Sequence, residues 1–396
     1  MLVSTTRMTI LHLISRYRWT GSAEPATTLC AFQAKAGADA RLCCIRGGSL
    51  EREAQERDVR FLHAANLGRN YTPWGILAAA RSLARCVARE RVDILHAHTQ
   101  HDHWLAALAQ AFFAEKKVAL IRTLHETRMV RVGRVWRRIF NHYTAMNIAP
   151  SRSATDFFTG SGAILPERVR TIHGGLDFSR FRVSVPAPNV REAWGVPKDA
   201  LLIAQLSHIG PDRRQREMLE AFALLAEEHP RAWLVFLGQG NKSTVSELRE
   251  RVRSFPFAAR VVFSKDHSGK GISWPDQVAA TDRVALLAVG SEGSSRGAME
   301  AMALARPVIG ARLGVLPELI EDGKTGWLAD QDDPLSIAGA LRTSLASAET
   351  AARVGGAAAA LIRARFRYER QAEETLALYR EVLGELPRPA QQAGSR

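Results

Sequence analysis

Twice along this chain of 396 residues, short apolar runs alternate with stretches of helical periodicity, and a proline-bearing break separates the two rounds. In the first round the apolar runs fall at residues 9–14, 41–45, 92–97, 118–123, 145–149 and 169–172, with helical patterns at 24–35, 74–89 and 102–114. Strand, helix, strand is the order of βαβ units, whose strands pair in parallel and are buried on both faces. Residues 183–189 (VSVPAPN) carry two prolines and no helical period, which is linker composition. The alternation then restarts with apolar runs at 201–206, 233–237, 261–263, 284–289 and 307–310 and a helical pattern at 216–228. An α/β chain of two domains is predicted. It is expected to close with an alanine-rich helix at 334–346, a long amphipathic stretch at 348–383 and a frayed tail from Pro387.

Composition narrows the setting. A hydrophobic fraction of 46% supplies a core for each domain, and no run of about 18 apolar residues predicts a membrane-spanning helix. The apolar run near the start contains His12 and is followed by Arg16 and Arg18, so no secretory signal is expected. Cys30, Cys43, Cys44 and Cys86 lack a CxxC spacing and are expected to be buried thiols of a reducing, cytoplasmic environment. The net charge of +14 is uneven: residues 1–190 hold 27 Lys+Arg against 14 Asp+Glu, while the remainder holds 27 against 26. A basic half suits an anionic partner. Nucleic acid is not expected, because aromatic content is 7% and no RNA-binding signature interleaves the arginines. From Arg122 to Arg138 there are six arginines against one acid, Glu126. Helical from Arg128 onward, this stretch would gather Arg128, Arg131, Arg134 and Arg138 near one face, where it could lie on an anionic membrane surface or simply pack its apolar face on the sheet.

In a parallel sheet the strand-to-helix loops share one edge, so three segments of the second round should converge. One is residues 207–216, SHIGPDRRQR, which sets Arg213, Arg214 and Arg216 at a helix start. Cations there oppose the helix dipole, and a bound phosphate would offset that cost. The second is Gly238-Gln239-Gly240, where a ligand could approach the backbone closely. The third follows the apolar run 284–289: a loop over 290–295, then a helix over 296–304. That loop would aim the amides of Gly293, Ser294 and Ser295 above the sheet. Glu292 would sit on the loop and Glu300 a turn into the helix, as carboxylates able to accept from vicinal hydroxyls or as two exposed helix acids. Spacing alone leaves both readings open.

The segment SEGSSRGAMEAMALARPVIGARLGVLPELIEDGKTGWL resembles the donor-binding signature of glycosyltransferase family 4, the retaining enzymes of the GT-B fold. DILHAH at Asp93–His98, TLHE at Thr123–Glu126, IHGGLDFSRF at Ile172–Phe181 and LALYREVL at Leu376–Leu383 extend the resemblance along nearly the whole chain. It implies two Rossmann-like domains facing across a cleft, an acceptor-binding one at 1–185 and a donor-binding one at 186–365, with a helix at 366–385 crossing back to the first and a disordered tail at 386–396. It implies transfer of a sugar from a nucleotide-diphosphate sugar to a saccharide or lipid-linked acceptor, in cell-envelope polysaccharide or lipopolysaccharide synthesis. The enzyme would work in the cytoplasm or peripherally on the inner face of the membrane. Position by position, it implies that Glu300 bonds the donor ribose, Glu292 the sugar hydroxyls, and Gly293, Ser294 and Ser295 the donor through their amides. Arg213 matches the phosphate-binding lysine, His208 stands where arginine is usual, and Arg214 stands where glycine is usual, with Arg214 a helper for the phosphates. His125 matches the histidine against the transferred sugar, and Gly21 the glycine near the phosphates. No cofactor or metal is expected, since arginine can take the charge role of a divalent ion. The rival readings are a sugar-nucleotide epimerase of the same fold and a non-catalytic polyanion-binding α/β protein.

Overall fold

In this computed structural model the residues described are 8–19, 23–64, 67, 72–115, 117–125, 133–179, 181–184, 189–267, 272–288 and 292–384, the side chains of 266, 267 and 292–295 excepted. The chain divides into two units, Met1–Gly175 with Tyr368–Arg396, and Leu176–Arg367. Each is an α/β unit built on one parallel sheet, the predicted class.

Unit 1 holds seven strands: β1 (Thr9–Ile14), β2 (Asp39–Cys44), β3 (Arg60–Leu62), β4 (Ile94–Ala97), β5 (Ala119–Thr123), β6 (Met146–Ala149) and β7 (Val169–Thr171). Their order is β3-β2-β1-β4-β5-β6-β7, so the sheet reverses direction between β1 and β4, the switch point at which such sheets open a crevice. Burial on both faces explains the unbroken apolar runs. Leu11, Leu13, Leu95 and Leu120 pack on one face, and Ile10, Ile14, Ile94 and Ile121 on the other. The flanking helices start at side-chain caps. Thr72 accepts from Gly75 with Pro73 in the first turn, and Thr99 and Asp102 form a capping box that opens Gln100–Phe112. The last helix, Tyr368–Leu383, belongs to this unit: Tyr368 stacks on Phe32 at 5.4 Å, and Tyr379 is fully buried in the core beside β1 and β4.

Unit 2 holds β8 (Leu201–Leu206), β9 (Ala232–Leu237), β10 (Val261–Phe263), β11 (Arg283–Leu286), β12 (Val308–Ala311) and β13 (Trp327–Ala329) in the order β10-β9-β8-β11-β12-β13. Its switch point lies between β8 and β11. The helix Glu292–Ala303 is seated there through Gly297, where a Cβ would fall 2.5 Å from Leu206 Cδ2 and 3.5 Å from Leu286 Cδ2. A residue without a side chain lets the helix approach both strands without displacing those leucine methyls.

Two local expectations change. The stretch 348–383 is not continuous: Ala348–Arg365 ends at Phe366, a non-helical C-cap, and Tyr368–Leu383 follows. The units part at Gly175–Leu176, ahead of the linker-like composition, because the Leu176 N–H donates to Phe366 O at 2.9 Å and its side chain joins the core of unit 2. Residues 185–188 of that linker and the tail from Pro387 lie outside the described residues. All four cysteines are free and buried.

Candidate functional site

At the carboxyl edge of β8 the chain leaves the sheet as Ser207-His208-Ile209-Gly210, and the first two predicted segments are bound to each other. Ser207 N–H donates to Leu237 O at 3.1 Å and Ile209 N–H to Gln239 O at 2.8 Å, so the turn after β8 runs beside the turn after β9. Gly238 is required by that approach: a Cβ there would sit 1.9 Å from Ser207 O. Two buried glutamines hold the loop from below. Gln205 donates to Arg213 O at 2.8 Å, and Gln215 donates to Ser207 Oγ at 2.9 Å and His208 O at 3.0 Å. Sequence reasoning missed both; a polar residue ending a buried strand and another opening a helix were the available signals.

The loop presents basic side chains. His208 is exposed and Arg213 half-buried, both beside Gly210, and among the described residues neither side chain has a hydrogen-bond or ion-pair partner. Arg214 differs. Its Nε lies 2.7 Å from Asp332 Oδ1, in ion-pair contact without an aligned hydrogen bond. Its backbone is left-handed, at φ 61° and ψ 26°, the region glycine enters without strain. The glycine usual at this position thus has a conformational reason. Asp332 also belongs to an Asp-x-Asp triplet with Asp330, but Asp330 Oδ1 accepts from the Asp332 N–H at 3.0 Å, so that triplet is engaged in its own turn.

The third segment needs correction. The helix begins at Glu292 rather than Arg296, so Gly293, Ser294 and Ser295 form its first turn rather than a loop, and β11 ends at Leu286 rather than residue 289. Their amides keep the predicted availability for another reason, because the first four N–H groups of a helix have no intrahelical acceptor. One turn on, Glu300 is enclosed: Trp274 Nε1 donates to its Oε2 at 2.7 Å, and Arg296 Nε stands 3.3 Å from its Oε1. Burial pushes the Glu300 carboxyl up from its ordinary pKa, and the guanidinium and indole N–H pull back toward the ionised form. Glu300 is therefore a fixed, enclosed acceptor and not an exposed helix acid. Trp274 opens the helix that precedes β11, and nothing in the local sequence paired it with Glu300.

In unit 1, His125 lies just past β5, buried, with its Nε2 3.1 Å from His98 Nδ1. Gly21 lies outside the described residues. His12, His96 and His98 bring ring nitrogens within 4.8 Å of one another, a grouping that could hold a metal ion. All six of those nitrogens are already in hydrogen bonds, to one another, to Gln33, Tyr379, Thr123 and His125. Of the basic stretch, Arg122 is buried in β5 and donates to Ala97 O at 3.3 Å, so it is no part of an exposed face. Residues 126–132, with Arg128 and Arg131, lie outside the described residues. Arg134, Arg137 and Arg138 are exposed on the short helix Arg134–Arg138, while Trp136 packs on Trp104 and Phe140.

Residues 19–180 match the profile described as Glycosyltransferase Family 4, and residues 187–360 that described as Glycosyl transferases group 1. The chain is 26% identical over 325 residues to N-acetyl-alpha-D-glucosaminyl L-malate synthase of Bacillus anthracis, covering 79% of this chain and 81% of that one. It is 26% identical over 318 residues to D-inositol 3-phosphate glycosyltransferase of Acidothermus cellulolyticus, covering 74% and 68%. Among solved structures, Anabaena HepE in complex with UDP and glucose superposes with a TM-score of 0.77 at 22% identity, over 96% of this chain and all of that one. The two sheets and their order are those of the GT-B fold, and the two profile matches make the chain a glycosyltransferase. The chain belongs to glycosyltransferase family 4.

Proposed function

We propose that this glycosyltransferase moves a sugar, with retention of anomeric configuration, from a nucleoside-diphosphate sugar to an acceptor hydroxyl. The observation that carries the reading is the pair of basic side chains, His208 and Arg213, unpartnered among the described residues, at the edge where Gly238 brings the turns after β8 and β9 together. A diphosphate gains charge as its bond to the sugar breaks, so a guanidinium already aimed at it stabilises that step more than the ground state. Arg213 supplies the permanent charge, and His208 stands beside it as a further hydrogen-bonding group. No metal is assigned to this step. Glu300, held by Trp274 and Arg296, keeps a lone pair on each carboxylate oxygen for the vicinal ribose hydroxyls. Glu292 is assigned to the sugar hydroxyls, Gly293, Ser294 and Ser295 to the donor through their amides, Gly21 to the phosphate region and His125 to the transferred sugar. With the acids assigned to binding, no side chain serves as nucleophile, and attack comes from the face the leaving group departs.

The HepE complex with UDP and glucose supports a nucleotide-sugar donor. For the acceptor, the basic first half supports an anionic molecule. One form is a lipid-linked saccharide of envelope polysaccharide or lipopolysaccharide synthesis, with the enzyme in the cytoplasm and peripheral on the membrane through Arg134, Arg137 and Arg138. A second is a small soluble acid, which the names of the malate and inositol 3-phosphate relatives favour. No helix of the described residues is long and apolar enough to cross a membrane. Incubation with UDP-, GDP- and ADP-sugars, with and without acceptors, tests the reading. Acceptor-dependent release of nucleoside diphosphate and an axial-to-axial product by NMR are expected. Isomerised donor without acceptor would replace transfer by epimerisation, and an inverted product would refute retention. Sedimentation with anionic vesicles at low salt separates the acceptor classes, since a purely soluble enzyme stays in the supernatant.

A further inference from the structure

The core of unit 1 contains a polar cluster that the reaction proposed above does not use. His12 on β1 pairs in register with His96 on β4, and residues two apart on a strand share a face, so His98 and Thr123 join them on the side covered by the helices Ala23–Lys35 and Tyr368–Leu383. Those helices contribute Gln33 and Tyr379. The histidines are 0–1% exposed, and burial lowers the pKa of each, that of His12 to about 4, so all three are neutral at physiological pH.

Neutral imidazoles have one donor and one acceptor, so a line of them has a direction. His12 Nε2 lies 2.7 Å from Gln33 Oε1, and a carbonyl oxygen only accepts, so His12 carries its proton on Nε2. His12 Nδ1 must then accept, from His98 Nε2 at 2.9 Å. His98 Nδ1 is left as an acceptor for His125 Nε2 at 3.1 Å. A second branch is compatible with this orientation of the glutamine amide. Gln33 Nε2 donates to Tyr379 Oη at 3.4 Å, Tyr379 donates to His96 Nδ1 at 2.6 Å, and His96 Nε2 donates to Thr123 Oγ1 at 2.7 Å. In this assignment no donor faces a donor and no acceptor faces an acceptor.

We propose that Gln33, His12 and His98 are positioning residues that fix His125 as its Nε2–H tautomer, making Nδ1 an acceptor only. The functional consequence rests on the assignment of His125 to the transferred sugar: the ring then accepts a hydroxyl proton and cannot donate one there. A network reversed in direction would present N–H at the same place, and a tautomer error of this kind disables a histidine without moving it.

The test is two-bond 1H–15N correlation of histidine-labelled protein at pH 7.5, with His125 assigned by the signals lost in His125→Phe. Wild type should show His125 protonated at Nε2, and Gln33→Leu should introduce the Nδ1–H form. Wild-type His125 protonated at Nδ1, or a Gln33→Leu protein with unchanged His125 signals, would overturn the proposal. The wild-type measurement stands even if the variant does not fold. Kinetics separates this inference from the reading beneath it. Gln33→Leu should lower kcat by about ten- to a hundredfold with donor KM held. A changed tautomer with unchanged kcat would leave the network in place and remove His125 from the reaction.

Discussion

The two units share one sheet plan and handle polar groups in opposite ways. Unit 1 carries His12 and His96 into the strands themselves, with His98 just past β4, and burial keeps all three neutral while every ring nitrogen is bonded. Unit 2 keeps β8, β9 and β11 apolar over most of their length and sets its cations in the turns beyond them, with His208 and Arg213 unpaired among the described residues. The lesson is that a parallel sheet can supply proton placement from within and charge from its edge. The first needs satisfied burial. The second needs cations left unpaired until a ligand arrives.

If unit 2 works through edge charge, Arg213→Ala should have the largest effect, a loss of roughly two to three decades in kcat with the fold intact by circular dichroism. Retained turnover would break the contrast. If unit 1 depends on neutral histidines, acid should weaken it. A folded-state pKa for His12 near 4 against an ordinary 6.5 means that the unfolded chain binds more protons between those values, so stability is complete above about pH 6.5 and falls as pH drops toward 4. His12 alone accounts for about 3 kcal/mol at the acid limit, and His96, His98 and His103 shift the same way. Hydrogen exchange at pH 7.5 and 5.0 should show β1 and β4 losing protection ahead of β8 and β9; equal loss would contradict the account. Gly238→Ala should destabilise unit 2 by roughly 1–3 kcal/mol in a denaturant melt, because its Cβ would collide with the Ser207 carbonyl. Arg214→Gly should be the mildest, within about 1 kcal/mol of wild type, since relief of a left-handed backbone offsets the lost contact with a largely exposed Asp332.

The same contrast governs what could be read beforehand. Buried parallel strands are continuous apolar runs, so β1, β8 and β10 fall where their composition says. Arg60–Leu62 escaped because it is an edge strand that opens on an exposed arginine and is only partly buried, and the helix Lys242–Arg253 because it buries only Leu248 and Val252. Edge charge was legible, since Arg213 and Gly238 lie in short local motifs. The histidine line was not: His12, Gln33 and His98 meet only through strand register and helix docking, which no local spacing encodes. The helix start at Glu292 was misplaced because small residues read as a loop until Gly297 is seen to seat them against Leu206.

The central claim is that the edge of unit 2 binds the diphosphate. Hydrogen–deuterium exchange with UDP, GDP and ADP in turn tests it directly. One of them should protect residues 207–215, 238–241 and 292–300 in the wild type and fail to do so in Arg213→Ala. Protection of none of these segments by any of the three, or equal protection in the variant, would contradict it.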